Sequence, residues 1–120
     1  VLKQFRAFLG DSVFVAHNVS FDYNFIAESL HEYDMPPLFN PRLCTLDLSR
    51  RTIVSKKYAL AYLNDMLGIN TAQAHRAYAD ALTAFRLYEI CMQSLPKEVK
   101  TLQELIAFSK GKIAYPQIIL

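Results

Sequence analysis

The chain has 120 residues, 52% of them hydrophobic and 20% charged, which is enough for one domain with a modest core and too apolar for a disordered segment. A net charge of +2 with a pI near 8.6 is too weakly basic to assign a nucleic-acid partner by itself. No apolar run approaches the ~18 residues of a membrane span and no signal-peptide pattern opens the chain. Cys44 and Cys91 lack metal-ligand spacing and a disulfide framework, so free thiols in a cytoplasmic protein without a membrane partner are expected.

In chain order, residues 1–10 put Leu2, Phe5, Phe8 and Leu9 on one helical face, with Gly10 as the stop. Ser12 to Ala16 is a β-branched and aromatic run, read as a strand buried on both faces. His17, Asn18 and Val19 form a turn, and Ser20 can cap a helix from Phe21 to about Tyr33. Pro36, Pro37 and Pro41 mark an extended loop, after which Leu43 to Leu48 reads as a second strand and Arg50 to Lys57 as a basic connector. Ala59 to Leu67 has helical spacing and Gly68 ends it; a loop leads to His75, then a long helix runs from about Ala77 to Ser94. Thr101 with Glu104 forms a capping box for a last helix through about Ser109, and the apolar tail from Ile113 to Leu120 receives no assignment.

Strands alternating with helices predict a parallel α/β arrangement. Two strands alone make no stable sheet, so further strands are expected before Val1. The chain opens without a methionine and reads as a piece of something longer.

The chemistry concentrates in two segments. On a helix at about 100° per residue, Asp22 falls within an apolar arc of Phe25, Ile26, Leu30 and Tyr33. Asp80 falls likewise on an arc with Ala77, Ala81, Ala84, Leu87 and Tyr88. An unpartnered buried carboxylate costs several kcal/mol or loses its charge. Two such acids point to a shared cation, and the expectation is a metal site in which they converge. The bland alternative makes Asp22 a first-turn acid favoured by the helix dipole, and pairs Asp80 with Arg76 or with Arg86, the latter weakened by projecting roughly 120° away around the helix. At the carboxyl end of the first strand, His17 and Asn18 offer donors to a phosphate or sugar and Phe21 offers a face for a base. His75, just before the second helix, suits a general base beside metal-bound water, or else is a surface loop histidine; His31 is read as surface. Arg50, Arg51, Lys56 and Lys57 could track phosphates, but a solvated connector is the preferred reading. Tyr58, Tyr62 and Tyr78 are read as partly buried packing residues, and Leu102, Leu105, Ile106 and Phe108 as a docked helix.

The run from Val15 to Asp22, followed by His75-Arg76-Ala77-Tyr78-Ala79-Asp80-Ala81, resembles the second and third motifs of the DEDD exonucleases. The histidine marks the branch containing the proofreading epsilon subunit of bacterial DNA polymerase III. Residues 44–51 and 60–69 between them are also similar to that family. The resemblance covers residues 1 to about 95, leaving 96–120 as a C-terminal helix and tail. It implies an α/β, ribonuclease H-like exonuclease fold lacking its N-terminal strands. It also implies metal-dependent removal of nucleotides from a single-stranded 3′ end of DNA, with RNA possible and polymerase subunits as further partners. By the same analogy Asp22 and Asp80 join a four-carboxylate cluster holding two Mg²⁺ or Mn²⁺ ions. His75 takes the proton of the attacking water, and His17, Asn18 and Phe21 hold the terminal nucleotide.

One departure is large. The family's first motif, Asp-x-Glu, is absent, and neither Asp11 nor Asp47 has a glutamate two residues on. The chain by itself is therefore expected to bind metal weakly and catalyse little, the longer parent being the enzyme. Two alternatives stand beside this reading: a non-catalytic nucleic-acid- or polymerase-binding module that has lost its first motif, and a structural α/β fragment whose acids are incidental.

Overall fold

The computed structural model describes residues 1–69, 76–113 and 115–120. Helix α1 (Leu2–Leu9) ends at Gly10, whose φ of 50° is the left-handed backbone that favours glycine. Strand β1 (Phe14–Ala16) enters helix α2 (Val19–Glu32), and a proline-bearing loop returns the chain to β2 (Arg42–Cys44). The two strands pair in parallel, Phe14 with Arg42, Val15 with Leu43 and Ala16 with Cys44. A parallel pair needs such a crossover, and α2 supplies it. Arg6 fastens the return loop by donating to the carbonyls of Pro36 and Pro37.

Beyond Cys44 the chain departs from expectation. Residues 44–48 alternate apolar and polar like a strand, yet Thr45–Thr52 forms helix α3, followed at once by β3 (Ile53–Val54). Helical spacing carries Leu48, Ser49 and Thr52 onto one fully buried face, and the Thr52 hydroxyl donates to the Leu48 carbonyl at 3.0 Å. Asp47 thus lies in a first helical turn rather than at a strand end. The tail is ordered by pairing: β4 (Ile118–Ile119) runs parallel to β3, with Ile53 opposite Ile118 and Val54 opposite Ile119.

Helices α4 (Leu60–Met66), α5 (Arg76–Met92) and α6 (Leu102–Ser109) complete the order. The capping box on α6 forms as expected: the Glu104 amide donates to Thr101 Oγ1 at 3.1 Å and the Thr101 amide donates to Glu104 Oε1 at 2.9 Å. One core joins Leu43, Leu48, Ile53, Leu63, Leu87, Cys91 and Leu105, so the C-terminal helix packs into the same interior as the rest. Leu87 and Cys91 share one face of α5 at i, i+4 spacing, which directs that helix onto α3. Strand β1 is less covered than the sequence suggested. Val15 is 42% exposed, and among the described residues β1 pairs only with β2.

Candidate active site

The carboxyl end of β1 delivers the first set of candidate residues. Asn18 takes the left-handed conformation, φ 66° and ψ 60°, which asparagine tolerates better than most residues. Helix α2 consequently starts at Val19, two residues ahead of the expected Phe21, and its cap residue Asn18 makes no side-chain cap bond. Its exposed side chain stays available at the surface.

His17 has both ring nitrogens engaged inside the protein. A carbonyl can only accept, so Nε2–H donates to the Tyr58 carbonyl at 2.6 Å, and Nδ1 in the neutral ring accepts from Thr45 Oγ1 at 2.9 Å. The ring pins the end of β1 to the start of α3 and to the loop before α4. Its pKa is lowered, first by burial and further by the Arg50 charge, against opposing contributions from the Tyr58 carbonyl and Asp47. A ring held this way orients its neighbours instead of offering a spare donor. Sequence reasoning missed both partners because they lie 28 and 41 residues away.

Asp22 and Asp80 line one cleft of about 690 Å³ between α2 and α5, with Val15 and His17 also on its wall. The expectation of burial is overturned: both aspartates are exposed. On the arcs that carry them, Phe25 and Tyr33 are 64% and 71% exposed, whereas Leu30, Ala84 and Leu87 are buried. Tyr78, expected to be partly buried, is 69% exposed. Each arc thus runs from the core to the open cleft, with its aspartate on the open side, so it is shared position that links the two acids, not desolvation. Ala77, Ala81 and Ala84 keep the α5 wall low, leaving the space between them. Among the described residues neither carboxylate has an ion-pair or hydrogen-bond partner; the single ion pair there joins Arg86 to Glu89 at 2.9 Å. The Arg76 escape for Asp80 is therefore not taken.

Two accessible carboxylates in one cleft fit a hydrated Mg²⁺ or Mn²⁺, which keeps several waters and binds one or two carboxylates plus phosphate oxygens. No group of three or more His, Cys, Asp or Glu able to hold an ion occurs among the described residues. Phe21 is 71% exposed at the start of α2, so its ring is free to stack. His75 lies outside the described residues.

Comparison with known proteins settles the family. The RNase_T exonuclease family model matches residues 1–88. The chain belongs to this exonuclease family. Its ordered βαβ unit and helices agree with a ribonuclease H-like α/β fold. Similar sequences include the DNA polymerase III subunit epsilon of Aquifex aeolicus, 34% identical over 96 residues, covering 79% of this chain and 48% of that protein. The DNA polymerase III PolC-type of Oceanobacillus iheyensis is 34% identical over 107 residues, 88% of this chain and 8% of that protein. That of Latilactobacillus sakei is 39% identical over 92 residues, 75% and 6% respectively. This exonuclease-family chain thus spans about half of the epsilon subunit and under a tenth of the PolC-type proteins it matches. Among the described residues no helix is long and apolar enough to cross a membrane.

Proposed function

We propose that this is a metal-dependent 3′→5′ exonuclease domain acting on the single-stranded 3′ end of DNA, in the manner of a proofreading epsilon subunit in the cytoplasm. The observation that carries the reading is that Asp22 of α2 and Asp80 of α5 line one cleft at the carboxyl end of β1. The names of the similar proteins support DNA and polymerase subunits as partners.

In this reading Asp22 and Asp80 would hold Mg²⁺ or Mn²⁺, which when bound stabilises charge on the phosphoryl group and lowers the pKa of a water. His75 accepts the proton of the attacking water as its oxygen bonds to phosphorus. The bond from phosphorus to the 3′-oxygen of the preceding nucleotide breaks, that oxygen keeps the electron pair and takes a proton from water, and a nucleoside 5′-monophosphate leaves. Phe21 stacks on the terminal base, Asn18 donates to its sugar or phosphate, and His17 fixes the turn that presents both. A single-stranded end is favoured because the terminal nucleotide must leave a duplex to enter the cleft.

With the Asp-x-Glu motif absent, the chain alone binds metal weakly and hydrolyses little. The second reading is a non-catalytic nucleic-acid- or polymerase-binding module, which other residues in place of Asp-x-Glu on an upstream strand would favour. Paramagnetic broadening by Mn²⁺ tests the first reading at residue level. Broadening centred on Asp22 and Asp80 and lost in Asp80→Asn is expected. Broadening elsewhere, or none at saturating Mn²⁺, removes the metal cleft and leaves the binding module or the structural fragment.

A further inference from the structure

A second cleft, of about 500 Å³, opens on the other side of His17. Its wall includes Asn18, Arg50, Lys56, Lys57 and Tyr58, and no acidic side chain. Arg50 comes from the last turn of α3 and the two lysines from the loop between β3 and α4. These belong to the basic run that the sequence left as a solvated connector; Arg51 of the same run turns away and lies over the Phe108 ring at 4.1 Å.

The lysine loop is held in shape. The Tyr58 hydroxyl donates to the Ile53 carbonyl at 2.6 Å and accepts from the Ser55 amide at 3.2 Å. Ser55 Oγ donates to the Lys57 carbonyl at 2.8 Å, and His17 holds the Tyr58 carbonyl. A loop fixed at both ends presents its charges with little ordering left to lose on binding. Among the described residues no ion pair neutralises Arg50, Lys56 or Lys57. Asp47, whose field reaches His17, lies outside this lining. An unneutralised, preshaped cationic wall suits a polyanion. Its shared border with the aspartate cleft, at His17, says where that polyanion runs.

We propose that this shelf carries the phosphodiester backbone of the single-stranded nucleic acid whose terminal nucleotide enters the aspartate cleft, a proposal that rests on the nuclease reading above. Arg50, Lys56 and Lys57 neutralise successive phosphates and Asn18 donates at the junction. Such contacts set register and carry no base specificity.

The test measures binding of thymidine monophosphate and of thymidylate oligomers of increasing length to the 120-residue chain with Mg²⁺, between about 50 and 200 mM salt. Each phosphate neutralised on a single strand contributes about −0.7 to the slope of log affinity against log salt, so three cations contribute about −2. The triple variant Arg50→Gln, Lys56→Gln, Lys57→Gln should lose that slope and the gain in affinity from monomer to oligomer. The charge-keeping Lys56→Arg, Lys57→Arg variant should retain both, which separates lost charge from lost fold. An oligomer gain and slope indifferent to the triple variant overturn the shelf, and monomer binding that depends on Asp80 would then leave the nuclease reading standing. Shelf-dependent oligomer binding without monomer binding keeps the shelf and removes the cleft reading. Failure of both ligands to bind overturns both.

Discussion

His17 reaches 41 residues along the chain to donate from Nε2 to the backbone carbonyl of Tyr58, at 2.6 Å. This one bond joins the end of β1 to the loop that carries Lys56 and Lys57, so two neighbouring clefts share a common pin.

Removing the ring should therefore cost stability and shape. His17→Ala leaves the Tyr58 carbonyl and the Thr45 hydroxyl without their partner, a loss of about 1–3 kcal/mol in urea denaturation. The pH dependence has a defined sign. Burial holds the folded pKa of His17 below its ordinary 6.5, so the unfolded chain binds more protons in that window. His17's contribution is fully present above pH ~6.5 and is lost as pH falls through the folded pKa. Subtracting the His17→Gln profile from the parent profile should isolate this slope; a flat difference would count against it.

Asp22→Asn and Asp80→Asn should each weaken Mn²⁺ binding by roughly tenfold or more, the scale of one charge-assisted contact. With both carboxylates lining one cleft, the double variant should lose less than the two single losses combined. Both residues are exposed, so unfolding midpoints should move by no more than about 0.5 kcal/mol. Calorimetric titration beside thermal melts checks the two halves separately.

Phe21→Ala separates stacking from packing in the same way. A ring 71% exposed contributes little to the core, so stability should hold. A base stacked on it is worth about 1–3 kcal/mol, so affinity for a 3′-terminal oligonucleotide should fall roughly 5- to 150-fold. Equal affinity in the two proteins would take Phe21 out of the site.

At the C-terminal side, a Cβ added to Gly111 would fall on the Arg51 guanidinium. Arg51 cannot simply step aside: it lies over the Phe108 ring and donates to the Phe108 carbonyl, while its own carbonyl accepts from the Tyr115 amide at 2.9 Å. Gly111→Ala should destabilise by about 1–3 kcal/mol through loss of that stack and bond. In the Arg51→Ala background the same change should cost much less, as a double-mutant cycle will report.

Cys91 is fully buried beneath α3, and burial pushes its thiol pKa up to about 11. The thiolate is the reactive form, so Cys91 should resist iodoacetamide near neutral pH and become modified only on unfolding. Peptide mapping across a urea series should show its alkylation tracking the global transition.

Local chemistry made much of this fold readable. Gly10 and Gly68 ended the helices that precede them, and the Thr101–Glu104 capping box forms as its residues dictate. Each depends on neighbours within one turn, where propensity and side-chain bonding act directly. The stretch from Thr45 to Leu48 misled because the alternation of residues 44–48 mimics a strand, while burial against α5 and α6 selects the helix that hides Leu48, Ser49 and Thr52. The β4 strand was invisible because a two-residue apolar pair has no period, and only Ile53 and Val54 give it a partner.

The site divides along the same line. By itself the sequence named the candidates, two aspartates with their neighbours in order, and pointed to the exonuclease family that matches residues 1–88. Only the folded chain decided that Asp22 and Asp80 border one open cleft instead of being buried. It also decided that His17 is a pin and that Arg50, Lys56 and Lys57 form a single cationic wall. The physical reason is reach. Residue type and helical phase are set within a few positions, whereas burial, hydrogen-bond partners and cleft walls come from segments 28 or 41 residues apart.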